Sequence, residues 1–263
     1  MVDFTKNTLK SLILALSKQG YSFYTFNKLT DSDKKTKAII LRHDIDKIPR
    51  NALKIAKLEN ELGVVGSYYF RSLPCSYNEE IIKQIAALGH EIGYHYENLS
   101  VNKGAFEKAI EDFKSNLNKF RAIADVKTIC MHGSPLSKWD NRKLWEKYDY
   151  RDFGIIAEPY FDVDFSQVLY LTDTGRRWDG EKVSIRDKVT PTTPIPYTLY
   201  PIPISHPFKK TKDIISAAEQ GLLPDKIMIT IHPQRWTDSP LPWMKELIWQ
   251  NVKNVVKKAI VKN

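Results

Sequence analysis

Short apolar runs of strand length alternate along this chain with helical segments of roughly 10–20 residues, and that alternation leaves few folds open. Residues 38–43, Ala-Ile-Ile-Leu-Arg-His, read as a buried strand, as do Val64 to Phe70, His90 to Tyr94, Val126 to Met131 and Met228 to Ile231. Between them the spacing predicts helices. Residues 5–19 carry Thr5 as an N-cap and Gly20 just past the end. A helix starting at Pro49 has an apolar face of Ala52, Leu53, Ile55, Ala56, Leu58 and Leu62 and stops at Gly63. Asn78 caps a helix running to Leu88 and Gly89, and residues 102–124 place Phe106, Ala109, Ile110, Phe113, Leu117 and Phe120 on one stripe. Strand and helix in alternation imply parallel βαβ units, as an open sheet or a closed barrel. In either, ligands gather where strands end and loops begin.

What stands at those strand ends is informative. The first strand runs into His43-Asp44-Ile45-Asp46, and later ones deliver His90-Glu91-Ile92-Gly93-Tyr94-His95, Met131-His132-Gly133 and Ile231-His232. Two carboxylates at the end of a buried strand are costly without a cation or proton between them, so a metal is expected there. His43 alternates with Asp44 and is expected on the opposite face, in a structural role. His90 and His206 read as hydrogen-bonded or surface residues. From about 153 to 207 the pattern breaks into short β-like runs, Gly154 to Ala157 and Val168 to Leu171, then a proline-rich stretch from Pro191 to Pro207 that keeps Tyr197 and Tyr200. It reads as an irregular insertion near the site.

Length and composition fit one α/β domain spanning residues 1–263, with 42% hydrophobic and 11% aromatic residues. Two cysteines, Cys75 and Cys130, are too few for a disulfide framework, and no export signal is visible, so a cytoplasmic address is expected. The formal charge of +9 is spread along helix-like segments without a nucleic-acid-binding motif, so nucleic acid is not expected as a partner.

The order of these elements resembles the polysaccharide deacetylase family, carbohydrate esterase family 4. Asp44-Ile45-Asp46 is similar to the family's first motif in a form with one residue between the aspartates. Gly89-His90-Glu91-Ile92-Gly93-Tyr94-His95 matches the second motif closely, but four residues after His95 the usual histidine is replaced by Leu99. Met131-His132-Gly133-Ser134-Pro135 stands where the third motif is built around an arginine and prolines. Thr172-Asp173 through Trp178-Asp179-Gly180 loosely resembles the fourth, and Ile229-Thr230-Ile231-His232 the fifth. The resemblance spans most of the chain. It implies a distorted parallel β/α barrel of about seven strands, with Asp44 as general base, His232 as general acid, and Asp46 and His95 as ligands of a divalent metal. His132 is the favoured third ligand, with Glu97 and Asn98 as alternatives. Zinc is the expected ion, because mixed carboxylate and imidazole ligation suits it.

Around that centre, Trp178 and Trp236 are candidates to stack on a sugar ring, and Arg177 and Arg235, with Asp179 between the tryptophans, to bind its polar or anionic groups. Their alternative is packing and a solvated loop edge. The implied reaction is removal of an N-linked acetyl or similar acyl group from a sugar, on a nucleotide-linked or lipid-linked precursor of a bacterial surface polysaccharide such as O-antigen or capsule. Leu99 and the altered third motif motivate a rival, an inactive carbohydrate-binding protein on the same scaffold. A small-molecule amidase is a third reading. Finally, residues 242–262 place Met244, Ile248, Val252, Val255, Val256, Ala259 and Ile260 on one stripe among lysines. That stripe is expected to pack on the barrel, the alternative being peripheral attachment to the inner membrane.

Overall fold

The computed structural model describes residues 2–28, 37–134, 137–178 and 208–261. Its sheet is assembled around β2 (Ala38–Ile45), whose eight residues are all buried. Burial on both faces is what a central strand of a helix-covered parallel sheet requires, and here it takes in Arg42, His43 and Asp44 along with the apolar residues. On one side β2 pairs with β7 (Lys226–Ile231), and on the other with β1 (Ser22–Tyr24) and then β3 (Ser67–Phe70). Beyond β3 lie β4 (Glu91–Tyr96) and β5 (Ile129–Met131), and beyond β7 lies β6 (Leu169–Thr172). All the ladders are parallel. One face is concave, because Ile40 of β2, Tyr69 of β3, Cys130 of β5 and Met228 of β7 meet in a single cluster with Phe26 and Phe165. The fold is a distorted parallel β/α barrel, with seven strands among the described residues.

Helices flank the sheet. They are α1 (Lys6–Lys18), α2 (Pro49–Glu61), α3 (Glu79–Ala87), α4 (Asn98–Val101), α5 (Phe106–Arg121), α6 (Pro159–Asp162), α7 (Thr211–Glu219) and α8 (Pro240–Val261). The expected caps are present: Thr5 Oγ1 accepts from Thr8 N at 3.1 Å and Asn78 Oδ1 from Ile81 N at 3.0 Å. The helix expected over 102–124 starts only at Phe106. Gly104, at φ +82°, turns the chain between α4 and α5, and a Cβ there would lie 2.5 Å from the Trp139 ring. Gly154 to Ala157 contributes one bridge, Thr128 to Ala157, and no strand. His43 faces the helix layer as expected, where Nε2 lies 2.8 Å from Glu59 Oε1 and the ring stacks on Tyr68. The proline-rich stretch, Asp179 and His206 lie outside the described residues.

One expectation is reversed. The described part of the apolar stripe of α8 faces outward, with Met244, Ile248, Val252 and Val255 all exposed along with Leu241 and Trp249, while the side chains of Val256, Ala259 and Ile260 lie outside the described residues. The side turned to the body is polar: Glu246, Gln250 and Asn254 are buried, and Asn254 Nδ2 donates to Gly175 O at 2.9 Å. The helix docks on loop carbonyls and on Lys47, which prefer amides and a carboxylate to methyl groups.

Candidate metal centre

Six strand ends converge at the C-terminal edge of the sheet, because parallel strands all finish there. Asp46 follows β2, Arg71 follows β3, His95 lies in β4, His132 follows β5, Asp173 follows β6 and His232 follows β7.

Asp46, His95 and His132 present one ligand atom each within 4.8 Å of one another. His95 Nδ1 lies 2.9 Å from the Cys130 carbonyl, so that nitrogen carries the proton and, in the neutral ring a metal takes, Nε2 offers its lone pair. Without a metal, burial is outweighed by Asp44 and Asp46, which raise the pKa of the ring. His132 Nδ1 lies 3.0 Å from Glu97 Oε2, which leaves its Nε2 free in the same way. Both Nε2 atoms approach Asp46 Oδ1, at 3.7 Å from His95 and 3.5 Å from His132. These separations are too long for hydrogen bonds. They are close to the edge of roughly 3.4 Å expected between ligands of a tetrahedral ion with arms of about 2.1 Å. Asp46 Oδ2 accepts from Gln234 Nε2 at 2.9 Å, whereas Oδ1 is buried with no hydrogen-bond partner. A buried, partnerless carboxylate oxygen facing two imidazole lone pairs is the arrangement a cation would satisfy. The donor set fits a divalent metal. Burial works against the charge of Asp46, yet His95, His232 and His132 hold its carboxyl well below the usual range.

The alternatives for the third ligand are otherwise engaged. Glu97 receives Arg71 Nε at 2.6 Å and Nη2 at 2.9 Å, and despite burial its carboxyl is held down to about 2 by His132 and Arg71. Arg71 also donates to the Asp46 carbonyl at 3.1 Å, so one guanidinium ties the clamp on His132 to the strand end carrying Asp46. Asn98 bonds Tyr94 and Asp112, and Leu99 is fully buried in the core.

Asp44 sits beside this group, its Oδ2 3.8 Å from His95 Nε2. Both of its oxygens are gripped by Arg42, Nε to Oδ1 at 2.8 Å and Nη2 to Oδ2 at 2.6 Å. Burial raises the carboxyl pKa, but Arg42 and His95 outweigh it and hold the group below its ordinary value. Sequence reasoning assigned Arg42 no role. The available signal was a guanidinium inside an apolar run, two residues before Asp44 and so on the same face of the strand.

On the far side, His232 Nδ1 lies 2.6 Å from Asp173 Oδ1, and His232 is among the groups that hold Asp44 and Asp46 below the ordinary carboxylate value. Asp173 is fully buried. It also receives Arg235 Nη1 at 2.6 Å, the His232 amide at 3.0 Å and Trp236 Nε1 at 2.6 Å. Although burial opposes it, Arg235 and His232 keep this carboxyl ionised at ordinary pH.

These contacts revise the expected sugar contacts. Trp236 is 1% exposed and Trp178 5%; they pack on each other and on Phe4, so neither presents a face to a sugar. Trp178 Nε1 donates to Thr211 Oγ1 at 2.9 Å. Arg235 is buried and committed to Asp173. Of the described members of that set, Arg177 alone keeps appreciable exposure. An indole in a loop looks the same in sequence whether it faces a core or a ligand. Here the deciding factor is Asp173, a buried carboxylate that needs donors.

No family model and no curated protein matches the chain. Among solved structures it is similar to a CE4 family pseudoenzyme from Bacillus anthracis, at 11% identity and a TM-score of 0.45 over 85% of this chain. The chain spans 62% of that pseudoenzyme's length. It is also similar to a CE4 esterase from Streptococcus mutans, at 13% identity and 0.44 over 91% of this chain and 90% of that one. A family 4 carbohydrate esterase from Bacillus anthracis follows at 13% identity and 0.40, covering 92% and 84%.

Proposed function

We propose that the chain is a metal-dependent hydrolase of the carbohydrate esterase family 4 type, removing an N-linked acetyl or similar acyl group from a sugar. The observation that carries this reading is the partnerless Asp46 Oδ1 set against the free Nε2 atoms of His95 and His132. On either side stand an arginine-held carboxylate and an aspartate-backed imidazole.

A zinc ion held by Asp46, His95 and His132 would supply Lewis acidity, polarising the acyl carbonyl and acidifying a water. Asp44 takes a proton from the attacking water, using the carboxylate lone pairs that Arg42 leaves open. Arg42 keeps Asp44 ionised and fixes its orientation. His232 gives a proton from Nε2 to the departing nitrogen, while Asp173 holds Nδ1 and stabilises the imidazolium between turnovers. Arg71 and Glu97 fix the ring of His132.

Two sequence departures motivated the inactive rival, and each has a local replacement. His132 stands where Leu99 fails, and Arg42 supplies a guanidinium to Asp44 from its own strand. The experiment is paired. Purified protein is analysed for zinc and offered N-acetylated sugars while released amine is measured. One zinc with amine release supports the hydrolase, one zinc without release from any acylated sugar favours the binding protein, and no zinc retention removes both.

We further infer that the protein works at an anionic membrane surface, on the cytoplasmic side where lipid-linked glycans are assembled. The supporting feature is the outward apolar face of α8, flanked by exposed Lys245 in a chain of formal charge +9. No described helix is long and apolar enough to cross a membrane.

A further inference from the structure

Beside the metal centre, the loop after β2, the first turns of α2 and the first half of α8 enclose a cleft of 730 Å³. Gln234 is part of its lining and donates its amide to Asp46 Oδ2 at 2.9 Å, so one side chain separates the cleft from the candidate ligand set. Lys47, Lys54 and Lys245 line it, against Glu246 as the single carboxylate in the lining. Glu246 is shared with Lys47 at 3.4 Å, and among the described residues no carboxylate stands within ion-pair distance of Lys54 or Lys245. Lys253 adds a further ammonium behind the wall, 5.2 Å from the Trp249 ring; burial, and then Lys47, hold its pKa below the ordinary value. The start of α2 contributes as well. Its N-cap, Ile48, is left-handed at φ 56° and gives no side-chain cap, so the positive end of a 13-residue helix lies uncapped by any side chain where Ile48 and Asn51 join the lining.

Excess positive charge, an uncapped helix start and an apolar wall of Ile248 and Trp249 describe a receptor for an anion attached to something less polar. We propose that this cleft takes the phosphate or diphosphate of a phosphate-linked glycan, with the lysines neutralising the anion and Ile248 and Trp249 covering the adjoining carrier. The acyl group then points toward Asp44 and Asp46. This rests on the hydrolase reading and names its substrate class, moving anion recognition from Arg235, which Asp173 occupies, to the lysines of the cleft. A nucleotide carrier and a lipid carrier present the same phosphate chemistry.

The test uses full-length protein stripped of metal, so that binding is read apart from turnover. Inorganic pyrophosphate is titrated calorimetrically into the parent, the Lys54→Glu/Lys245→Glu variant, and Lys108→Glu, an exposed control on α5. The parent should bind, and the double variant should bind about tenfold more weakly or worse, with a reduced salt dependence. Lys108→Glu should match the parent. No binding by the parent, or equal binding by the parent and the double variant, overturns the subsite. Uridine diphosphate binding tighter than pyrophosphate, and lost in the double variant, identifies a nucleotide carrier. Capture on vesicles containing polyprenyl diphosphate in excess of that on vesicles of equal anionic charge without it, the excess being lost in the same variant, identifies a lipid carrier, and either result supports the cleft. Zinc stoichiometry and amine release from neutral N-acetylhexosamines read the hydrolase independently.

Discussion

Arg42 and Asp44 lie two residues apart on one buried strand and meet through two parallel hydrogen bonds of 2.8 and 2.6 Å. The period of a β-strand puts both side chains on the concave face, and the planar fork of arginine matches the carboxylate. Lysine in its place keeps a charge but not the fork. Arg42→Lys should therefore raise the Asp44 pKa toward its ordinary value. The base then loses its proton only at higher pH, so the acidic limb of kcat/KM for amine release moves upward while zinc content stays constant. An acidic limb that does not move would show that Arg42 leaves Asp44 untuned.

Removing either imidazole of the metal group should abolish stoichiometric zinc, whereas the clamp should act by degree. Glu97→Gln leaves His132 in place but weakens the acceptor on Nδ1, and such changes cost about 10–100-fold in metal affinity. Competition titrations against a fluorescent chelator measure this. If Glu97→Gln loses zinc outright while His132→Ala keeps it, Glu97 is the ligand and His132 is not.

Glu97 also links stability to pH in the metal-free protein. Its carboxyl titrates near 2 when folded against an ordinary value of 4.5, so folding is favoured wherever the unfolded chain would be ionised. That contribution, at most about 3 kcal/mol, is complete above roughly pH 5 and disappears as pH falls toward 2. The stability difference between parent and Glu97→Gln, followed by urea unfolding, should shrink over that interval. A difference constant from pH 7 to pH 2.5 would mean that the pair with Arg71 and His132 does not hold the carboxylate.

Asp173→Asn should slow turnover on the order of 10²–10⁴-fold with zinc retained, because the amide no longer stabilises His232 as an imidazolium. Asp173 also anchors Trp236 and Arg235, so near-ultraviolet circular dichroism must accompany the assay. His232→Ala should lose activity without disturbing that anchor. Were His232→Ala to turn over at the parental rate, the acid would have to be another group.

How far the sequence could be read follows from the range of each interaction. Alternation of strand and helix is local, so the parallel sheet was legible, and with it the gathering of Asp44, Asp46, His95, His132 and His232 at one edge. Pairings across the barrel were not. Asp173 draws Trp236 and Arg235 inward through contacts more than 60 residues apart in sequence, and no local pattern distinguishes such residues from sugar contacts. Leu99 was legible as a failed ligand but not as a core residue of α4. Arg42 was legible as a charge in an apolar run, two residues before Asp44 and so on its face of the strand, but the paired hydrogen bonds between them were not.

The same limit explains α8, where period fixes which residues share a face but not which face turns inward. Met244 and Val252 are 52% and 51% exposed, and the buried side is held by Glu246, Gln250 and Asn254. Replacing the two apolar residues with glutamate should therefore leave thermal stability and zinc content near those of the parent, since neither side chain supports the core. On vesicles the outcome should differ. Parent protein should co-sediment with anionic lipid in a salt-sensitive way, and Met244→Glu/Val252→Glu should not, having lost apolar insertion and gained repulsion from the headgroups. A large drop in melting temperature would restore the packing reading. A parental dimer in solution that the variant abolishes would instead make a second copy of the chain the occupant of this face.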